Sequence, residues 1–219
     1  MLDTLNLLAT TALSSPIPLG ISRCLLGERV RYDGGHKYDS FLVETMGPFV
    51  RWIPVCPEVA CGLPVPREAM HLVGNPAMPR LVTKRTGIDH TDRMLAWAGI
   101  TLKALRKENL CGFVFKSKSP SNGMRYLKNY QSEGRVFILK QGLFAALLMR
   151  HFPLLPCEEE SRLYDPVLRK KFVEAVFVFT RFRDLLARHL TRADSVTFYT
   201  QYKHLLLIHY LTLYREKGR

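Results

Sequence analysis

Short apolar runs closed by glycine- or proline-containing turns alternate along this chain with amphipathic helical stretches, and that alternation restricts the fold more than any other feature. Leu19 to Ser22 reads as a strand ending at Arg23-Cys24, with a loop and the turn Asp33-Gly34-Gly35-His36 after it. Phe49 to Val55, aromatic and β-branched, reads as a second strand closed by Cys56-Pro57. From Asp89 to Leu105 the residues Met94, Leu95, Ala98, Leu102 and Leu105 recur at helical spacing, with Asp89 or Thr91 placed to cap the helix. Gly112 to Phe115 is a third strand, Val136 to Leu139 a fourth, and Leu143 to Met149 a helix. Strands alternating with helices predict an α/β fold with a doubly wound, mostly parallel sheet.

Pro153 to Cys157 reads as a joint, beyond which the pattern is helical throughout. Asp165-Pro166, a cap followed by proline at the first helical position, opens a helix through about Leu190, and a last helix runs from roughly Ser195 to Glu216. The expected division is a lead at residues 1–16, an α/β domain at 17–152 and a small all-α C-terminal module at 153–219. No run approaches the roughly 18 consecutive apolar residues of a membrane span. The apolar start, Leu5 to Leu13, lacks the basic flank of a secretion signal. A cytoplasmic protein whose five cysteines stay reduced is the expectation. A net charge of +13 points to a polyanionic partner, nucleic acid before membrane.

Ligands of open α/β sheets bind outside the carboxyl ends of the strands. Cys24, the Cys56-Glu58-Cys61 segment and the Lys116 to Gly123 loop all follow strands, so the fold is expected to gather them at one edge. No C-x-x-C pair exists, which excludes a zinc ribbon, a thioredoxin motif and a ferredoxin-type cluster. Cys111 opens the third strand, roughly 15 Å from its far end at about 3.3 Å per residue, and reads as a core cysteine. Cys157 reads as structural. Of the exposed basic residues expected on the C-terminal helices, Arg169, Lys170, Lys171, Arg181, Arg183, Arg188 and Arg192 offer phosphate contacts. Glu158 to Glu160 read as a local acidic cluster.

The strings Ile21-Ser-Arg-Cys-Leu-Leu-Gly-Glu28, Arg31-Tyr-Asp-Gly-Gly-His-Lys37, Cys56-Pro-Glu-Val59, Gly62-Leu-Pro-Val-Pro-Arg67 and Lys116-Ser-Lys-Ser-Pro-Ser121 together resemble the DUF523 family, which includes thiouracil desulfidases. From Phe152 onward, Glu158-Glu-Glu160, Asp165-Pro166 and Tyr202-Lys-His-Leu-Leu206 are similar to a shortened DUF1722 domain. The resemblance implies a [4Fe-4S] cluster held by three cysteine thiolates with one iron left open. It also implies removal of sulfur from a thiolated uracil, 4-thiouridine in tRNA being the expected substrate, to give uridine and sulfide without net redox change.

Cys24 and Cys56 match two of the family's cysteines, whereas Asn122 stands where many members carry the third. Cys61 is then the candidate third thiolate, the alternative being a degraded cluster or none. Glu58 is the candidate general acid/base, the alternative being a loop carboxylate paired with Arg67, and Ser119 and Ser121 are candidates to hydrogen-bond the base or the departing sulfur. Asp33, His36, Lys116, Lys118 and Asn122 are candidate substrate contacts. The competing functions are a desulfidase of free thiouracil, a cluster-less RNA-binding protein and a zinc hydrolase.

Overall fold

The computed structural model describes residues 16–125, 127–130, 135–139, 141–187 and 191–217. The apolar stretch Leu5 to Leu13 and Arg188 lie outside these residues.

Four parallel strands form the central sheet, in the order β2 (Val50–Val55), β1 (Ile17–Ser22), β5 (Gly112–Phe115) and β8 (Cys157–Glu159). The chain leaves β1 toward β2 on one side, then returns to place β5 and β8 on the other. That reversal opens a crevice at the carboxyl ends of the strands. Pro54, which cannot donate to a ladder, is accommodated because β2 is an edge strand. The expected α/β class with a mostly parallel sheet is the fold observed, followed by two C-terminal helices.

A parallel sheet must be covered on both faces. On one face lie α2 (Thr91–Lys107) and α3 (Leu143–His151), which bring Ala98, Leu102, Leu105, Phe144 and Leu148 against Phe113 and Phe115. The expected helix from Asp89 begins at Thr91, with the Asp89 carboxylate accepting from the Thr91 backbone N–H at 2.9 Å. Leu95, counted among its periodic residues, faces solvent.

The other face is covered by α4 (Pro166–Leu186), whose Phe172, Val173 and Val176 pack on Ile17, Leu19 and Ile21. As expected, Asp165 caps this helix, accepting from Val167 and Leu168 N–H with Pro166 at the first position. Residues 153–219 supply β8 to the central sheet and α4 to this face, where Leu25, Leu42 and Met46 pack in the same cluster. Arg183 fastens the far end of α4, donating to the Leu110 carbonyl at 2.8 Å and to Asn109. The last helix, α5 (Arg192–Lys217), packs on α4 through Phe177 with Tyr202 and Phe182 with Phe198.

A second sheet went unread in the sequence. It runs β4 (Arg80–Thr83), β3 (Met70–Val73), β6 (Leu127–Tyr130) and β7 (Val136–Leu139). Val136 to Leu139 is therefore a strand as expected, but antiparallel to β6 in this mixed sheet and not part of the parallel one.

Candidate active site

Each strand of the central sheet ends on a residue with chemistry. Beyond β1 the chain makes a short 3-10 turn carrying Cys24, whose carbonyl accepts from Gly27 and Lys37 N–H and so folds the loop back over the strand ends. Beyond β2, Cys56 precedes the four-residue helix α1 (Pro57–Ala60), which carries Glu58. Beyond β5 come Lys116 to Asn122, and beyond β8 comes Glu160. Ser22, fully buried, ties two of these ends together by accepting from the Lys116 N–H at 2.8 Å.

Between them lies a cleft of about 550 Å³ lined by Cys24, Cys56, Glu58, Ser119 and Asn122 among others. Its rim is basic: Arg23, Arg31, Lys37, Arg67, Lys84 and Lys118 line it together with Lys116, against the single carboxylate of Glu58. Such a surface favours an anionic ligand.

Both cleft thiols are buried. Burial pushes Cys24 up to about 11 against the opposing pull of Lys116 and Arg31. Burial, and next the Glu58 carboxylate, push Cys56 up to about 12. A thiol so raised is protonated near neutrality and is a poor nucleophile; a metal that displaces its proton makes it a ligand.

Glu58 is held on three sides. Its Oε1 accepts from the Ser121 hydroxyl at 2.5 Å, its Oε2 from the Cys56 thiol at 3.5 Å, and Arg67 lies 4.0 Å away. Arg67 itself is fixed by donating to the Val30 and Pro64 carbonyls, and its Nε has no partner. Ser121 is fully buried and stands behind Glu58, while Ser119 Oγ lies 3.1 Å from Ser121 Oγ and accepts from the Asn122 N–H.

The loop carrying these serines is gripped from two directions. The free N–H groups at the start of α3 donate to it, Leu143 to the Pro120 carbonyl and Phe144 and Ala145 to that of Ser121. The approach is close enough that a Cβ on Gly142 would sit 2.6 Å from both carbonyl oxygens. From β8, Glu160 accepts from Lys116 Nζ at 2.6 Å and from the backbone N–H and hydroxyl of Ser117, and Glu159 accepts from the Met124 N–H at 2.7 Å.

The structure thus brings together Cys24, Cys56, Glu58, Ser119, Ser121, Lys116, Lys118 and Asn122. Lys116 reaches the cleft already paired with Glu160. Three of the sequence candidates go elsewhere. Asp33 accepts from the Gly35 N–H at 3.0 Å, a contact that holds its carboxyl below the usual range, and it closes a turn outside the cleft. His36 Nδ1 accepts from the Tyr38 N–H in the same loop. Cys61 is turned away by the end of α1: its thiol donates to the Glu58 carbonyl at 3.2 Å and its side chain packs on the core of the second sheet. Among the described residues no three His, Cys, Asp or Glu side chains form a group able to hold a metal ion. Arg67, weighed in the sequence as a partner for Glu58, does lie beside that carboxylate, whereas sequence reasoning gave no site role to the three glutamates of β8 and the turn after it.

Residues 19–160 match the family model for 2-thiouracil desulfurase. The chain belongs to the 2-thiouracil desulfurase family. Its matched residues begin in β1 and end at Glu160, so the family segment contains every residue that lines the cleft apart from Ser161, which follows it directly. A solved [4Fe-4S]-dependent thiouracil desulfidase, TudS (DUF523Vcz), is 32% identical with a TM-score of 0.55, over 70% of this chain and 97% of that one. The protein YbbK of Bacillus subtilis (strain 168) is 29% identical over 133 residues, 58% of this chain and 87% of YbbK. All of α4 and α5 lies beyond residue 160, the last that the family model matches.

Proposed function

We propose that this protein is a [4Fe-4S]-dependent desulfidase that replaces the thiocarbonyl sulfur of a thiolated uracil by oxygen, releasing sulfide without net redox change. The observation that carries the proposal is the convergence of two buried thiols and a serine-held carboxylate in one basic cleft. The donor set suits an iron-sulfur group: Cys24 and Cys56 are soft ligands at neighbouring strand ends, and neither is engaged in a disulfide. When bound, the cluster supplies a soft Lewis acid for sulfur, which polarises the carbon that water attacks.

The chain's own residues do the rest. Glu58 takes a proton from the attacking water and returns it to the departing sulfur, its carboxylate aimed by Ser121 and flanked by Arg67. Ser121, backed by Ser119, holds the Glu58 carboxylate in position, and the unpartnered Oδ1 of Asn122 accepts the ring N–H of uracil. The overall change is C=S plus water to C=O plus hydrogen sulfide, which balances without an oxidant or reductant.

The substrate we favour is 4-thiouridine carried in tRNA. Lys37, Lys84 and Lys118 are exposed on the cleft rim and have no ion-pair partner among the described residues, so they are available to phosphate. The C-terminal helices, which we relate to the DUF1722 domain, add exposed Lys170, Lys171 and Arg192. Arg169 and Arg183 are spent differently, donating to backbone carbonyls at the two ends of α4. Incubating the reconstituted protein with thiolated tRNA and with free 4-thiouracil at rising salt tests this choice. Turnover of tRNA that falls with salt while turnover of the free base does not is the expected outcome; preference for the free base at every salt concentration contradicts it.

A further inference from the structure

Cys24, Cys56 and Asn122, which follow β1, β2 and β5, line one cleft, and only two of the three are thiols. Asn122 is 5% exposed, and its Oδ1 is buried without a hydrogen-bond partner although its own backbone N–H is satisfied by Ser119. Buried amide oxygens are almost always paired, so an orphan lining a cleft marks a place where a ligand supplies the donor. An amide oxygen is a hard, neutral donor and a poor match for iron in a sulfide cluster.

Cys61 does not make good the deficit. The end of α1 is locked by the Ala60 and Cys61 N–H groups donating to the Cys56 and Pro57 carbonyls. From that position the Cys61 side chain bonds the Glu58 carbonyl and packs on the core of the second sheet, outside the cleft lining.

We infer that this chain holds its iron-sulfur group through two protein thiolates only, Cys24 and Cys56, and that Asn122 is a substrate acceptor rather than an iron ligand. The inference rests on the iron-sulfur reading above and deepens it. Its consequence is a group with fewer protein bonds than a three-thiolate site, and hence faster loss of iron to competing chelators.

The test reconstitutes the full chain and five variants, Cys24→Ser, Cys56→Ser, Cys61→Ser, Asn122→Ala and Asn122→Cys, with iron and sulfide under anaerobic conditions. Iron and sulfide per chain and the rate of iron loss to a ferrous chelator are then read. Cys24→Ser and Cys56→Ser are expected to lose the group. Cys61→Ser and Asn122→Ala keep the wild-type iron content and release rate, while Asn122→Ala raises the KM for 4-thiouracil. Asn122→Cys adds a thiolate at the vacant position and slows iron release by about tenfold or more, since even outer-shell partners change metal affinity by that much.

Iron loss from Cys61→Ser or Asn122→Ala comparable to that from Cys24→Ser overturns the inference, as does an Asn122→Cys protein with unchanged release. Absence of iron and sulfide from the wild type and from Asn122→Cys alike overturns the iron-sulfur reading itself, so the two failures are distinguishable.

Discussion

The two walls of the cleft are held by opposite means. At the ends of β1 and β2 the thiols of Cys24 and Cys56 are raised by burial and face the cleft with few polar partners. Across from them, the loop from Lys116 to Met124 is tied at almost every turn, by α3 from one side and by Glu159 and Glu160 from the other. The contrast teaches a division of labour. One wall stores soft ligands in protonated form until a metal displaces the protons. The other fixes its hydroxyls in place and, through Ser121, aims the Glu58 carboxylate carried just after Cys56, so that proton transfer needs no rearrangement.

The largest expected effect comes from emptying the thiol wall. Cys56→Ser abolishes iron incorporation and, with it, sulfide release, as measured by elemental analysis and turnover. Next, Glu58→Gln keeps the hydrogen bond from Ser121 but removes the base, so iron content stays at the wild-type level while kcat falls by about 10²- to 10⁴-fold. An equal loss of iron and of turnover in this variant would erase the distinction between the walls.

Glu160→Gln strikes the tie beneath the polar wall. It strands the Lys116 ammonium in a part-buried site and is expected to cost about 3 kcal/mol in chemical denaturation, the scale for breaking a buried pair from one side. The smallest effect concerns Glu159, whose carboxyl burial raises above its ordinary value. A raised carboxyl contributes stability that is present below the unfolded pKa and is lost as pH rises through the folded one. Glu159→Gln, neutral throughout, should therefore be more favourable relative to wild type at pH 7 than at pH 4. Denaturation midpoints at the two pH values check the sign.

The thiol wall was legible in the sequence because its residues follow strands that carry their own signal. Apolar β1 and β2 announce themselves, and the doubly wound pattern says which edge Cys24 and Cys56 share. The serine loop was legible for the same reason. The ties beneath it were not. Glu158 to Glu160 read as a local acidic cluster, yet they are buried, and while Glu158 pairs with nearby Arg162, the partners of Glu159 and Glu160 lie at Lys116, Ser117 and Met124, far back in the chain. Spacing carries no trace of such pairing.

The second sheet escaped for a related reason. Its strands are four residues long, and β6 carries Lys128 and the fully buried Asn129, so long-range pairing and not local propensity makes it a strand. Cys61 shows the limit at a single position. Sequence distance from Cys56 suggested a loop able to fold back, whereas α1 intervenes and its final turn aims the thiol at the Glu58 carbonyl.

The central claim is that this cleft performs iron-sulfur-dependent desulfurisation of thiolated uracil. The most direct measurement is anaerobic reconstitution of the full chain, followed by incubation with 4-thiouracil and with thiolated tRNA while thiocarbonyl absorbance and sulfide release are followed together. The account predicts iron and sulfide in the proportions of a [4Fe-4S] cluster, with one sulfide released for each thiocarbonyl lost. A fully loaded protein that releases no sulfide from either substrate contradicts it.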